Sequence, residues 1–556
     1  MDVIEDTGMI LGRGSLSPRG RALVLGSMCL ALVLVVAGVT MLVNTLPLIA
    51  EDLNLSQAKQ TWVVDAYALP FAALLMIAGA LGDRYGRRGA LLAGTALFGF
   101  GSLMSALTDS GNQLLAFRAV TGIGAALVMP GTLSTITSVY PTEQRARAVG
   151  IWSGFAMTGG TLGLLGSGLL LETFWWGSVF VVSALLAVVA FVAIVLAVPS
   201  TCSTEPVSLD PGGTVLSILG VGGIVFGIIQ GPEQGWTSAF TLGGLAVGVA
   251  ALVGFVLWEL RVEQPLLDPR LFMLRGFGTG SAGLFIMFLA MFGFFLVSIQ
   301  FLQLILGYSP LKAAVALLPQ ALLMMPIAAI AAPLSMRVGQ RRLCTIGLFI
   351  GAIGMASLVA LDENSSYWQF LASMLTLSVA IGLAMTPATT AIVNSLPIAK
   401  QGVASAVNDT AREVGVAVGV AVLGSAFNMA YRNSISDHLI GLSSETAQGA
   451  REAPAIALQS AETLGQRGVE LTEACYNAFV SGLQSAVLLS AGLLALAAAF
   501  TWWRGPGRRE GAEPGAVDDA SVGMAVEPCW GSGAGAVLVR RNLTVPSSDL
   551  TPTAAE

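Results

Sequence analysis

Five ionisable side chains stand inside long apolar stretches of this sequence: Asp65, Arg118, Asp409, Arg412 and Glu413. A charge at the centre of a bilayer costs at least about 2.5–3.5 kcal/mol on insertion scales, so each is a candidate for chemistry. Asp409, Arg412 and Glu413 occupy positions i, i+3 and i+4 of one segment, which puts them on one helix face. Arg412 offsets one of the two carboxylates. The other is then available to take a proton or attract a cation, or the trio closes on itself as a latch. Asp65 and Arg118 fall at similar depths in two different segments, where they either pair to hold helices together or face one cavity. In a cavity, Asp65 would bind a proton or a cationic substrate, with Arg118 tuning its proton affinity by opposite charge.

A second cluster, Asp83 with Arg84, Arg87 and Arg88, ends an apolar segment. The arginines satisfy the preference for positive charge on the cytoplasmic side; an acid adds nothing to that preference and asks for another role. Asn44, Gln300, Gln303, Gln320 and Asn394 are polar residues in other segments, suited to hydrogen-bonding a substrate or joining helices. Met324 and Met325, with Phe285, Phe288, Phe292, Phe294 and Phe295, offer soft apolar walls. Lipid-facing packing is the reading for most of those phenylalanines, because an apolar residue in a span needs no special reason.

The elements that must carry these groups are membrane helices. Apolar residues make up 55% of the 556 and charged residues only 11%, less than half the share usual in soluble domains. About fourteen apolar segments are long enough to span, each needing roughly 20 residues. They lie near Ala22–Ala50, Trp62–Leu81, Ala90–Leu107, Gln113–Val139, Val149–Leu171, Trp175–Val198, Gly213–Gln230, Thr241–Leu260, Gly278–Leu306, Ala313–Met336, Leu343–Leu361, Trp368–Val393, Val403–Ala430 and Ala478–Trp502. The first follows Arg21 and is too long for a cleaved signal core. Arginines cluster after the second, fourth, eighth and tenth segments, while the intervening short loops offer Lys59 and Lys312. Both termini are therefore expected in the cytoplasm, as an even number of spans also requires. The fold class is an all-α integral membrane protein of the cell membrane, with the lipid bilayer as its surroundings.

Several functions fall away. His438 is the only histidine, and the five cysteines form no CxxC pair, so no metal centre, cofactor or disulfide framework is expected. No Walker sequence and no large extramembrane domain is present, so any transport draws on a gradient and not on ATP. No nucleophile–base pair points to an enzyme. A net charge of −6 with no basic face gives no purchase for nucleic acid.

Leu81-Gly82-Asp83-Arg84-Tyr85-Gly86-Arg87-Arg88 recurs in outline as Leu334-Ser335-Met336-Arg337-Val338-Gly339-Gln340-Arg341. Taking spans seven and eight as an insertion, the two loops occupy equivalent places in two six-helix halves, a transporter architecture. The expected division is a cytoplasmic segment 1–21, a half over 22–198, an insert over 199–276, a second half over 277–503 with an outer loop near 432–475, and a disordered cytoplasmic tail over 504–556.

The stretch Gly79-Ala80-Leu81-Gly82-Asp83-Arg84-Tyr85-Gly86-Arg87-Arg88 resembles the GxLxDRxGRR signature of the major facilitator superfamily. Trp62-Val63-Val64-Asp65-Ala66-Tyr67, Arg118 to Ala126 and Ser405 to Glu413 resemble its fourteen-span drug:proton antiporter branch, the QacA/EmrB-like proteins. The resemblance implies multidrug or antibiotic efflux by a monomer that exchanges a drug-like compound or secondary metabolite for protons. It implies a gate formed by Gly79, Asp83, Arg84, Gly86, Arg87 and Arg88, and a glycine-rich helix-packing stretch at Gly159, Gly163 and Gly168. From the residues themselves, coupling is expected through Asp65, Arg118, Asp409, Arg412 and Glu413, and a substrate cavity near Asn44, Gln300, Gln303 and Met325. The chain departs from that branch at Gly38, where relatives carry Asp, and at Leu164 and Ser167, where the GxxxGPxxGG signature has Pro and Gly. An uncoupled facilitator or symporter of another solute, or a membrane sensor on a transporter fold, therefore stays open.

Overall fold

The computed structural model describes residues 17–55, 57–199, 210–362, 365–396, 400–440, 442–462 and 464–506. The N-terminal segment before Ser17, Cys202, and the tail beyond Pro506 with Cys529 lie outside the described residues.

The described chain is helical throughout, with 14 helices long and apolar enough to cross a membrane. The first six are α1 (Pro18–Asp52), α2 (Gln57–Tyr85), α3 (Arg87–Ala106), α4 (Gly111–Val139), α5 (Thr142–Leu171) and α6 (Gly177–Ala197). Two follow as a hairpin, α7 (Pro211–Gln234) and α8 (Ala239–Glu259). The last six are α9 (Arg275–Gln300), α10 (Leu318–Val338), α11 (Gln340–Ser357), α12 (Tyr367–Asn394), α13 (Gln401–Ile435) and α14 (Gln466–Arg504). A π turn at Phe301–Ile305 extends α9, and a short helix at Pro310–Ala316 leads into α10.

Local chemistry sets where helices begin. Asp210 caps α7 by accepting from the Gly212 N–H at 2.9 Å, and Ser238 caps α8 through the Thr241 N–H. Ser366 and Gln369 form a reciprocal capping box on α12. Prolines 47, 70, 130, 326, 333 and 387 lie within helices, where neighbouring helices tolerate them.

Helices α1–α6 pack on one another, as do α9–α14, and the two groups meet where α2 touches α13 and α5 touches α10. The hairpin rests on α2 and α13 through α7: Ala72 packs with Val221 and Val225, flanked by Val414 and Ala417. Only 28% and 22% of the α7 and α8 spans are buried, against 61% and 72% for α4 and α12, so the hairpin is peripheral. Tryptophans mark the two ends of the apolar slab. Trp175, Trp236 and Trp368 are exposed at one end, and Trp258, Trp502 and Trp503 at the end that carries Arg84, Arg337 and Arg504, here called the basic end.

The repeated loops share a backbone conformation. Gly86 has φ 106° and Gly339 φ 95°, each a left-handed residue between two spans that only glycine adopts without strain. Each is followed by a side chain that reaches a carbonyl of a neighbouring span: Arg87 reaches Ser134 of α4, and Gln340 reaches Pro387 of α12.

Candidate functional site

At the basic end, Asp83 joins the two groups of helices. The first turn of α13 has N–H groups with no partner within the helix, and its own cap residue, Lys400, supplies no side-chain bond. Asp83 of α2 supplies it from across the seam. Its carboxylate accepts from the Gly402 N–H at 3.0 and 2.8 Å and from the Val403 N–H at 3.2 Å. Arg87 donates to the same carboxylate at 3.1 and 2.8 Å, and both side chains are buried. A negative charge at a helix N-terminus is favourable. Close approach makes it possible: a Cβ on Gly79 would run into the Gly402 carbonyl and Ala406, and one on Gly402 into Gly79 and Asp83. The sequence placed Gly79, Asp83, Gly86 and Arg87 in one motif; the structure brings Gly79, Asp83 and Arg87 to this contact, while Gly86 makes the turn that precedes Arg87. Arg84 instead lies over the ring of Tyr85 at 5.4 Å, and Arg88 donates to the Val195 carbonyl of α6 at 2.7 Å.

Arg118 is buried in α4, but not as the partner of Asp65. Its guanidinium donates to the backbone carbonyls of Val63 at 3.1 Å and Gly38 at 3.4 Å and rests 4.6 Å above the Tyr67 ring. Helix geometry gives the reason. Val63, Tyr67 and Pro70 form the stripe of α2 that faces α4, whereas Asp65 is two residues from Val63 and thus about 200° around the helix. Of the two arrangements open to Asp65 and Arg118, the pair is not made: Arg118 is a carbonyl-bound arginine that ties α4 to α1 and α2. Asp65 is half-buried on the opposite side of α2. Gly38 makes room for an aromatic ring: a Cβ there would stand 2.8 Å from Phe98.

The α13 cluster forms as its spacing requires. Asp409 is fully buried, and its Oδ1 accepts from Asn408 Nδ2 at 3.1 Å and lies 3.5 Å from Arg412 Nη1. Asp409 Oδ2 and Arg412 Nε have no hydrogen-bond partner among the described residues. The Arg412 guanidinium lies 4.7 Å from the ring centre of Phe288 on α9 and 5.7 Å from that of Trp152 on α5. Trp152 in turn donates to Thr132 Oγ1 of α4 at 3.0 Å. Glu413 is half-buried one residue further along. Trp152 carried no signal in sequence, because an aromatic residue in an apolar span has many reasons to be there, and Phe288 stood there only as one of five phenylalanines offering apolar walls. Phe288 is 2% exposed and so belongs to the core, as a wall of this site and not a lipid-facing ring.

The remaining candidates divide. Gly159 and Gly163 pack α5 on α1: a Cβ on Gly163 would strike Thr40 and Ala37. Gly168 faces Leu311 and Asn44. Asn44 Nδ2 donates to the Leu164 carbonyl and to Ser167 Oγ, both at 3.0 Å, so it joins α1 to α5 at the two positions that depart from the branch signature. Met325 meets Gly154 of α5 across the seam. Gln300 is exposed at the end of α9, and Gln303 is half-buried in the π turn.

Comparison with known proteins agrees with this architecture. The model of the Major Facilitator Superfamily matches residues 28–420. The multidrug efflux pump LfrA of Mycolicibacterium smegmatis is 34% identical over 478 residues, covering 85% of this chain and 94% of that protein. The methyl viologen resistance protein SmvA of Salmonella typhimurium is 30% identical over 82% of this chain and 92% of its own length. In structure, the human organic anion transporter MFSD10 superposes with a TM-score of 0.60 at 15% identity, over 87% of this chain and all of that one. The chain is a multi-pass membrane protein and belongs to the major facilitator superfamily.

Proposed function

We propose that the protein is a secondary exporter of lipophilic or cationic small molecules, drug-like compounds among them, and that it exchanges them for protons. The basic end faces the cytoplasm of the cell, with both termini there and the cell membrane as its location, as the arginine-rich loops favour. Helices α1–α6 and α9–α14 act as two halves that rock about a central site, and α7–α8 is an insert outside them. The protein acts as a monomer and performs no enzymatic reaction.

The observation that carries this reading is the buried Asp409–Arg412 pair at the seam, with Trp152 of the other half against it. Two acids and one base in a water-poor site leave a carboxylate uncompensated, and adding or removing one positive charge changes the energy of that site most. A proton and a cationic substrate are alternative sources of that charge, which is the minimum an exchanger needs. Asp83 on the α13 N-terminus serves as the cytoplasmic gate. LfrA and SmvA, named for multidrug efflux and methyl viologen resistance, support the substrate class.

The test is accumulation of a fluorescent lipophilic cation in a drug-sensitive host. Cells making the protein should accumulate less than cells making Glu413→Gln, and a protonophore should abolish the difference. Export that survives the protonophore would favour an uncoupled facilitator. That second reading has its own support: the ring of Phe98 occupies the space of the missing acid at Gly38.

A further inference from the structure

Arg412 is a cation in a site whose walls do not depend on it. The Trp152 ring is fixed by its bond to Thr132 Oγ1 at 3.0 Å, and the Phe288 ring by stacking on Phe292 at 5.8 Å with planes 14° apart. Asn408 holds Asp409 Oδ1 at 3.1 Å. By contrast, Arg412 is poorly satisfied for a group with five N–H donors: its ion pair is 3.5 Å long and its Nε is unpartnered. Asp409 Oδ2 is likewise an unused acceptor on a fully buried side chain. Burying a charge this loosely costs more than a tight bidentate pair would. The arrangement holds a delocalised cation against two rings and beside two carboxylates, without binding it well.

We propose that Arg412 is a tethered stand-in for the substrate: a planar, delocalised organic cation displaces its guanidinium from Trp152 and Phe288 and pairs with Asp409 Oδ2 and Glu413. This rests on the export reading and narrows its substrate class to cations with a flat, delocalised charge and at least one N–H donor. The rings attract such a charge by their quadrupole, and the unused carboxylate oxygen accepts its N–H. The route in and out is on the same helix. Phe288, Phe292 and Phe295 of α9 form a ladder with ring centres 5.8 and 6.1 Å apart, running from the buried cage to half-buried rings toward the end opposite Asp83. The Asp83–Gly402 contact shuts the other end.

The experiment measures binding of phenylguanidinium to the full-length purified protein in nanodiscs, with neutral phenylurea as the control. Removing the stand-in should strengthen binding: Arg412→Ala and Arg412→Gln should each bind phenylguanidinium about tenfold or more tightly than the parent, with phenylurea unchanged. Arg412→Lys, which keeps a cation in place, should stay near the parent. Adding Trp152→Leu to either gain-of-affinity variant should remove the gain. Arg412→Gln leaves a smaller gap than Arg412→Ala and keeps a polar head, so a folding defect in the alanine variant leaves the test intact. Equal or weaker binding by Arg412→Gln, or a gain for phenylurea equal to that for phenylguanidinium, overturns the proposal. Because binding is read without transport, loss of the stand-in idea leaves the export reading standing, and absence of export in cells leaves the binding result decisive for the cage.

Discussion

Replacing Asp83 with Asn should open the basic end of the molecule. The carboxylate accepts five hydrogen bonds, three from the Gly402 and Val403 N–H groups and two from Arg87. An amide offers one acceptor oxygen and one NH2. Whichever way it turns, it points donors at the α13 N–H groups or at Arg87. At least two charge-assisted bonds are lost, each worth about 1.5–3 kcal/mol, and buried Arg87 loses its partner. The Arg87 pair lies within the first group of helices and weakens in both arrangements. What falls on the closed arrangement alone is the lost acceptance from the Gly402 and Val403 N–H groups, about 1.5–3 kcal/mol, because the open one lacks the α2–α13 contact. That shifts the equilibrium by on the order of tenfold or more. The assay is alkylation of Ser405→Cys in a background with the five native cysteines replaced. Ser405 is fully buried in the first turns of α13, so its rate of reaction reports opening. Asp83→Asn should raise that rate at least tenfold. An unchanged rate in a variant that melts like its parent would refute the reasoning and reduce Asp83 to a helix cap.

Two further outcomes follow from packing. Asn44→Ala removes the donor to Leu164 and Ser167, so it should lower stability by about 1–2 kcal/mol while export continues; the melting temperature and an accumulation assay read the two effects. Gly38→Asp puts a carboxyl where the Phe98 ring stands, 2.8 Å from the new Cβ, and should destabilise by about 1–3 kcal/mol. Gly38→Asp with Phe98→Leu should recover most of that loss and bring an acid to the side of Arg118, which already reaches the Gly38 carbonyl. A single variant as stable as the parent would contradict this packing account.

The spans were legible because lipid demands long apolar helices, and that demand is written in composition. Their ends were less so. The sequence closes span thirteen near Ala430 and opens span fourteen near Ala478, whereas α13 continues to Ile435 and α14 begins at Gln466. Those extra turns carry Arg432, Glu470 and Glu473, so hydropathy assigns them to a loop although the helix simply projects beyond the slab. The basic-end contact was half legible: the motif names Asp83, but its partner is two backbone N–H groups more than three hundred residues away, which no side-chain pattern announces. Of the two arrangements that sequence left open for Asp65 and Arg118, a pair or a shared cavity, the pair is not made for a related reason. Similar depth does not fix azimuth, and two residues along a helix turn a side chain to the other face. Asp409 and Arg412 pair as their spacing requires because both lie on one helix, while the rings that complete their site come from α5 and α9 and are set by packing alone.

The central claim is exchange of an organic cation for protons, and purified protein in liposomes tests it directly. A fluorescent lipophilic cation is placed on one side of the membrane and a pH gradient is imposed. The account predicts uptake against the concentration gradient when the opposite compartment is acidic, with proton release matching uptake and both lost in Glu413→Gln. Uptake that only equilibrates the cation, at the same rate with either direction of the pH gradient, would contradict it.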